Sequence, residues 1–194
     1  MSRAAFWRVI AIVVATGLLA TAATASKAPL KLGPDLLTNS GFEAGLAGWT
    51  TNGFFAQGFD FGIDGQAHSG SNAFFGGAIG GLGFLSQSIA TTPGRFYDVS
   101  LWLASDGFLP NEFRASANGA VLSDRTDILL QGYTQVNLIF LATAATTNLQ
   151  FGFQNDSGFL HVDDIVATLV PEPTTLILLA AGLGAMGHAR RRFG

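Results

Sequence analysis

The chain has no cysteine. Disulfides, thiol nucleophiles and thiolate metal sites are all excluded, so any fastening of the fold comes from packing, hydrogen bonds or an oxygen-bound ion. Charge is also scarce, with lysine, arginine, aspartate and glutamate making up 12% of the 194 residues. Histidine occurs three times. His68 lies in a His-Ser-Gly turn, His161 stands near Asp163 without a nucleophile motif, and His188 falls in the C-terminal tail, so no catalytic triad can be assembled. Between Leu36 and Val170 no long stretch has helical periodicity. The run Gly76–Gly83 lacks the lysine and the strand-to-helix setting of a phosphate-binding loop and reads as a flexible connection.

Long apolar runs are confined to the two ends. Arg3 and Arg8 precede the run Val9–Ala20, and Ala23-Thr24-Ala25 supplies the small-x-small pattern of a signal peptidase site. A signal peptide over 1–25 is expected, cleaved before Ser26, with an uncleaved N-terminal anchor as the alternative. At the other end Pro171-Glu172-Pro173 is followed by an uncharged stretch from Thr174 and then by Arg190, Arg191 and Arg192. As a helix at about 1.5 Å per residue that stretch reaches roughly 24 Å, a marginal span for a hydrocarbon core of about 30 Å. Its terminal arginines favour the cytoplasmic side, which places the residues between the two ends beyond the inner membrane. A buried apolar helix of the domain is the other reading of this stretch, and the proline pair and arginine cluster suit it less well.

Residues 26–170 hold 12 acidic and 5 basic side chains, and 5 − 12 leaves a formal charge of −7. An acidic domain is a poor partner for phosphate backbones, which argues against nucleic acid as a ligand. Three regions are therefore expected: 1–25, a single domain at 26–170, and a removable tail at 171–194.

The tail resembles the PEP-CTERM sorting signal on Pro171, Glu172, Pro173, the apolar span and Arg190, Arg191 and Arg192. The resemblance implies processing by an exosortase, transient inner-membrane association and delivery to the cell envelope or extracellular matrix, often in bacteria that make exopolysaccharide.

The central region alternates with period two and is punctuated by Gly, Asn, Asp and Pro, which predicts an all-β sandwich. Tyr97, Val99, Leu101 and Leu103 fall on one face of a strand and Asp98, Ser100 and Trp102 on the other. Val136, Leu138 and Phe140, then Leu149, Phe151 and Phe153, repeat the style. Further strands are expected over 36–39, 49–55, 72–75, 84–90, 114–117 and 161–169, with turns at Thr92-Pro93-Gly94 and Asn118-Gly119.

Several motifs in this region, in order, resemble carbohydrate-binding modules of the galactose-binding-like jelly-roll kind. They are Leu37-Thr38-Asn39-Ser40-Gly41-Phe42-Glu43 with Gly48-Trp49, His68-Ser69-Gly70, Leu85-Ser86-Gln87-Ser88-Ile89, and His161-Val162-Asp163-Asp164-Ile165. The resemblance implies a jelly-roll β-sandwich with first and last strands adjacent. The whole chain is then a jelly roll flanked by an N-terminal signal helix and a C-terminal transmembrane helix. It also implies a structural calcium ion held by Glu43, the Ser69 region and one of Asp163 or Asp164, an arrangement that suits a hard cation needing six to eight oxygens.

Trp102 is the candidate platform for a sugar ring, because an indole on the polar face of a strand can stack on a pyranose. Gln87, Gln135, Asn137 and Gln150 are candidate amide partners for hydroxyls. Packing under a loop is the competing reading of Trp102. Trp49 and the segment Phe54, Phe55, Phe59, Phe61 read as core. The expected function is non-catalytic binding of carbohydrate or exopolysaccharide by an exported protein, with signal peptidase and exosortase as processing partners. A purely structural matrix protein and a cryptic glycan hydrolase are the alternatives.

Overall fold

The computed structural model describes residues 33–55 and 60–171. The signal helix expected within 1–25, the tail from 172 onward, and Phe59 lie outside the described residues. Among those described, ten strands form: β1 (Thr50–Gly53), β2 (Phe61–Asp64), β3 (Ala73–Gly76), β4 (Gly83–Ala90), β5 (Phe96–Ser105), β6 (Asn111–Ala117), β7 (Ala120–Thr126), β8 (Gln131–Leu141), β9 (Thr146–Asn155) and β10 (Leu160–Leu169). They make two five-stranded sheets, a first in the order β1-β4-β9-β6-β7 and a second in the order β2-β3-β10-β5-β8. Every strand pairing is antiparallel. No described helix is long and apolar enough to cross a membrane.

The period-two pattern dictates this sandwich. Val99, Leu101 and Leu103 of β5, Val136 and Leu138 of β8, and Leu149, Phe151 and Phe153 of β9 all bury their side chains between the sheets. Phe153 sits at the centre, its ring 5.2 Å from Phe74, 5.6 Å from Phe113 and 6.4 Å from Phe55. Phe55 and Phe61 pack against this core, whereas Phe54 is 60% exposed. Trp49 is buried and donates its indole N–H to Asn39 O at 3.1 Å.

Two sequence expectations are corrected. First, the segment expected as the first strand does lie along the last, β10, but without joining its sheet: the first strand formed, β1, pairs with β4 at an edge of the first sheet, while β10 is central in the second. What flanks β10 is the segment at Asp35–Leu36, where Leu36 N–H donates to Ala167 O at 2.9 Å. Asp35 Oδ1 takes the Ala167 N–H at 3.0 Å, so a side chain replaces the carbonyl that would continue a ladder. Second, residues 36–39 are not a strand. Asn39 adopts φ 56° and turns the chain, its side chain holding the carbonyls of Gly45 and Ala47. β2 and β7 are additional to the expected strands: β2 spans only four residues, and β7 is a largely solvated edge.

The sandwich has two poles. Both described chain ends lie at one, since Gly33 packs near Leu169 and Val170 N–H donates to Phe96 O at 2.9 Å. The connections 91–95, 118–119 and 142–145 surround that pole. The other pole carries the connections after β3, β5, β7 and β9.

Candidate functional site

A carboxylate corner closes the molecule over β10. The ladder between β10 and β5 shifts register between Asp163 and Val166, and Asp164 takes φ 48°. This bulge turns Asp164 toward the His68–Ser69 turn while Asp163 stays fully buried. Asp163 Oδ2 accepts the backbone N–H groups of His68 at 2.8 Å and Ser69 at 3.0 Å, and its Oδ1 accepts that of Asp164 at 2.7 Å. Ser69 Oγ donates to Asp164 Oδ1 at 2.8 Å, and His68 Nδ1 lies 2.7 Å from Asp164 Oδ2. Glu43 Oε1 accepts the N–H groups of Ser71 and Asn72 at 2.8 and 2.9 Å. Glu43, Ser69, Asp163 and Asp164 therefore meet around one turn.

Burial pushes the Asp163 carboxyl above the usual carboxylate range, against the pull of its backbone donors, and the neighbouring Asp164 charge pushes the same way. Two adjacent acids, one of them buried, favour a cation. Gly41 leaves room beside them: a side chain there would begin 3.5 Å from Asp164 Oδ1 and 3.7 Å from Asp163 Oδ1. The donors fit a hard cation in kind. Among the described residues no three Asp, Glu, His or Cys side chains converge on a common point, so much of a calcium shell would come from backbone carbonyls and water.

The candidate sugar-contacting residues are dispersed. Trp102, Gln135 and Asn137 share the outer face of the second sheet, Trp102 standing opposite Gln135. The His68 ring stacks on Trp102 at 3.9 Å and 14°, so the indole supports the carboxylate turn. Gln87 points inward and clasps Thr38, accepting its N–H at 2.7 Å and donating to its O at 3.0 Å. Gln150 lies on the outer face of the first sheet, away from the other candidates.

That first-sheet face is the more complete polar surface. Thr50, Ser86, Gln150 and Ser116 stand in register across β1, β4, β9 and β6, a row about 14 Å long at the usual strand spacing. The next row runs Asn52, Phe84, Gly152, Arg114, Asp124. Phe84 lies flat across the sheet, because a Cβ on Gly152 would meet its ring at 2.9 Å and one on Gly53 at 2.8 Å. Two missing side chains thus bed one aromatic ring beside Leu82, in a row that carries Asn52, Arg114 and Asp124. Arg114 Nη2 lies 2.7 Å from Glu112 Oε1 and 3.1 Å from Asp124 Oδ2. Glu112 Oε1 and Arg114 Nε are buried, with ion pairing but no hydrogen-bond partner. Burial raises the Glu112 pKa; Arg114 opposes that shift and Asp124 adds to it.

Gln154 stands opposite Glu112 on the same face and donates to Asp156 Oδ1 at 3.2 Å; sequence reasoning missed Phe84, Gln154, Glu112 and Arg114 as a group. The available signal was the pairing of Gly152 with Phe84, visible only once register is known. Asn155-Asp156-Ser157 has the form of a glycosylation sequon, but the Asn155 side chain is buried and donates to Asp106 Oδ1 at 3.1 Å.

The fold is that of carbohydrate-binding jelly-roll domains. The chain is similar to the CBM22-1 xylan-binding domain of Paenibacillus barcinonensis Xyn10C, with 17% identity and a TM-score of 0.56 over 73% of this chain and 98% of that one. It is similar to TmCBM61, solved with beta-1,4-galactotriose, at 18% identity and TM-score 0.51 over 71% of this chain and 99% of that one. A third is the K3 cleaved adhesin domain of Lys-gingipain from Porphyromonas gingivalis, at 13% identity and TM-score 0.54 over 68% of this chain and 96% of that one. No curated protein matches the chain. Residues 169–192 carry a PEP-CTERM protein-sorting motif, which marks an exported protein processed at the membrane.

Proposed function

We propose that this is an exported, non-enzymatic glycan-binding protein, sorted by an exosortase to the envelope or to an exopolysaccharide matrix, whose ligand lies along the outer face of the first sheet. The flat Phe84 ring carries this reading. An aromatic face beside Gln150, Gln154 and Arg114 offers stacking and bidentate hydrogen bonding to a sugar at once. Affinity electrophoresis in gels containing xylan, β-galactan or the host's own exopolysaccharide tests it. Phe84→Ala should weaken retardation about tenfold, equivalent to roughly 1.4 kcal/mol. Unchanged migration of this variant overturns the first-sheet site. Trp102 with Gln135 and Asn137 is the second reading, favoured by their shared face, and selective loss with Trp102→Ala would move the site there. A protein that no polysaccharide retards is instead a structural matrix component.

Calcium at Glu43, the Ser69 region and one of Asp163 or Asp164 belongs to the same proposal, as a positive charge that closes the corner rather than as a participant in binding. Chelation should lower the melting temperature by several degrees, since an ion at a hundredfold excess over its Kd contributes about 2.7 kcal/mol. Superimposable melting curves with and without chelator would remove the ion.

A further inference from the structure

We infer that the pole bearing both described chain ends is a membrane-facing surface, docked on the anionic bilayer that holds the tail. The inference rests on reading the stretch from Thr174 as membrane-embedded. Strand β10 ends at Leu169, and the Val170 N–H is still tied to Phe96 O at 2.9 Å. Only Pro171, Glu172 and Pro173 separate that bond from the uncharged stretch. Three residues span at most about 10 Å, so an embedded tail holds this pole against the headgroups.

The chemistry of the pole suits that position. Its connections, 91–95, 118–119 and 142–145, contain one base, Arg95, and no acid; the nearest carboxylates are Asp35 on the Ala167 N–H, Asp98 opposite Thr168 and Glu172 of the linker, in a domain whose formal charge is −7 from 5 bases and 12 acids over 26–170. Asp60, Asp106, Asp127 and Asp156 lie at the opposite pole. A ten-residue strand such as β5 puts about 33 Å between the poles, several Debye lengths at physiological salt, so an anionic surface at this pole does not face those four aspartates. Phe96 and Leu141, paired across β5 and β8 beside the tail's exit, are 53% and 48% exposed and present apolar surface at headgroup depth. The opposite pole also exposes apolar side chains, Leu129 and Leu130 among them, but among aspartates that an anionic bilayer repels.

The chain's lack of cysteine permits a direct test. Full-length protein carrying Thr143→Cys, Thr92→Cys or Leu130→Cys, each with a fluorophore, is reconstituted into phosphatidylglycerol and phosphatidylethanolamine vesicles that contain a headgroup quencher. Labels at 143 and 92 should be quenched several-fold more than the label at 130. Inserting about a dozen Gly-Ser residues between Val170 and Pro171 should reduce that difference while flotation with the vesicles persists. Protein that floats but is quenched equally at both poles, or more strongly at 130, overturns the inference and leaves the embedded tail standing. Protein that does not float removes both.

Discussion

Asp163→Ala should destabilise the domain by about 3 kcal/mol, enough to lower its melting temperature by roughly 10 °C. The substitution strands three backbone donors, at His68, Ser69 and Asp164, in a corner from which water is largely excluded. Each stranded donor costs about 1–3 kcal/mol, and relief from burying a carboxylate returns part of the total. Asp163→Asn keeps one acceptor oxygen and should lose about half as much. Urea unfolding of the three proteins, with hydrogen exchange at Ser69, provides the measurement. Equal midpoints for wild type and Asp163→Ala would mean that the corner does not hold the turn.

Phe153→Ala should cost about 4 kcal/mol, near the upper end for large-to-small core changes, because three aromatic rings face the space it vacates. Its urea midpoint should fall with the slope unchanged. Gly76 lies against the Phe153 ring, where a Cβ would meet it at 2.9 Å, so backbone as well as side chains would have to move to fill the cavity. A loss below about 1 kcal/mol would mean that the core collapses around the gap and that the sandwich is looser than its packing implies.

The fold was legible wherever alternation between a buried and a wet face was clean. The runs through Tyr97–Leu103, Val136–Phe140 and Leu149–Phe153 declared their faces, and the sandwich follows from them. Edges were harder: β7 carries Ser123, Asp124, Arg125 and Thr126 in succession, and nothing in that run marks a face. The carboxylate corner was legible as residues because its four members belong to motifs of recognisable order, yet the bulge that aims Asp164 was not. The polar face of the first sheet was hidden for a different reason. Nothing local to Phe84 shows that it stands between Asn52 and Gly152 on an outer face, and Gln87 reads as a free amide until its bond to Thr38 is seen. Alternation says which residues share a face of one strand; it does not say which strands share a sheet.

The last strand of the chain is also the middle of the second sheet, with β3 on one side and β5 on the other. During vectorial synthesis or passage through a membrane channel, β2 and β3 cannot join β5 and β8 until residues Leu160–Leu169 have emerged, because β10 alone bridges the two pairs. The long-range pairing that completes the sandwich therefore waits for the end of the domain, and the entropy of closing so large a loop makes that step slow. The first sheet, whose strands all precede β10, can pair earlier, but the second is completed only as the sorting motif follows.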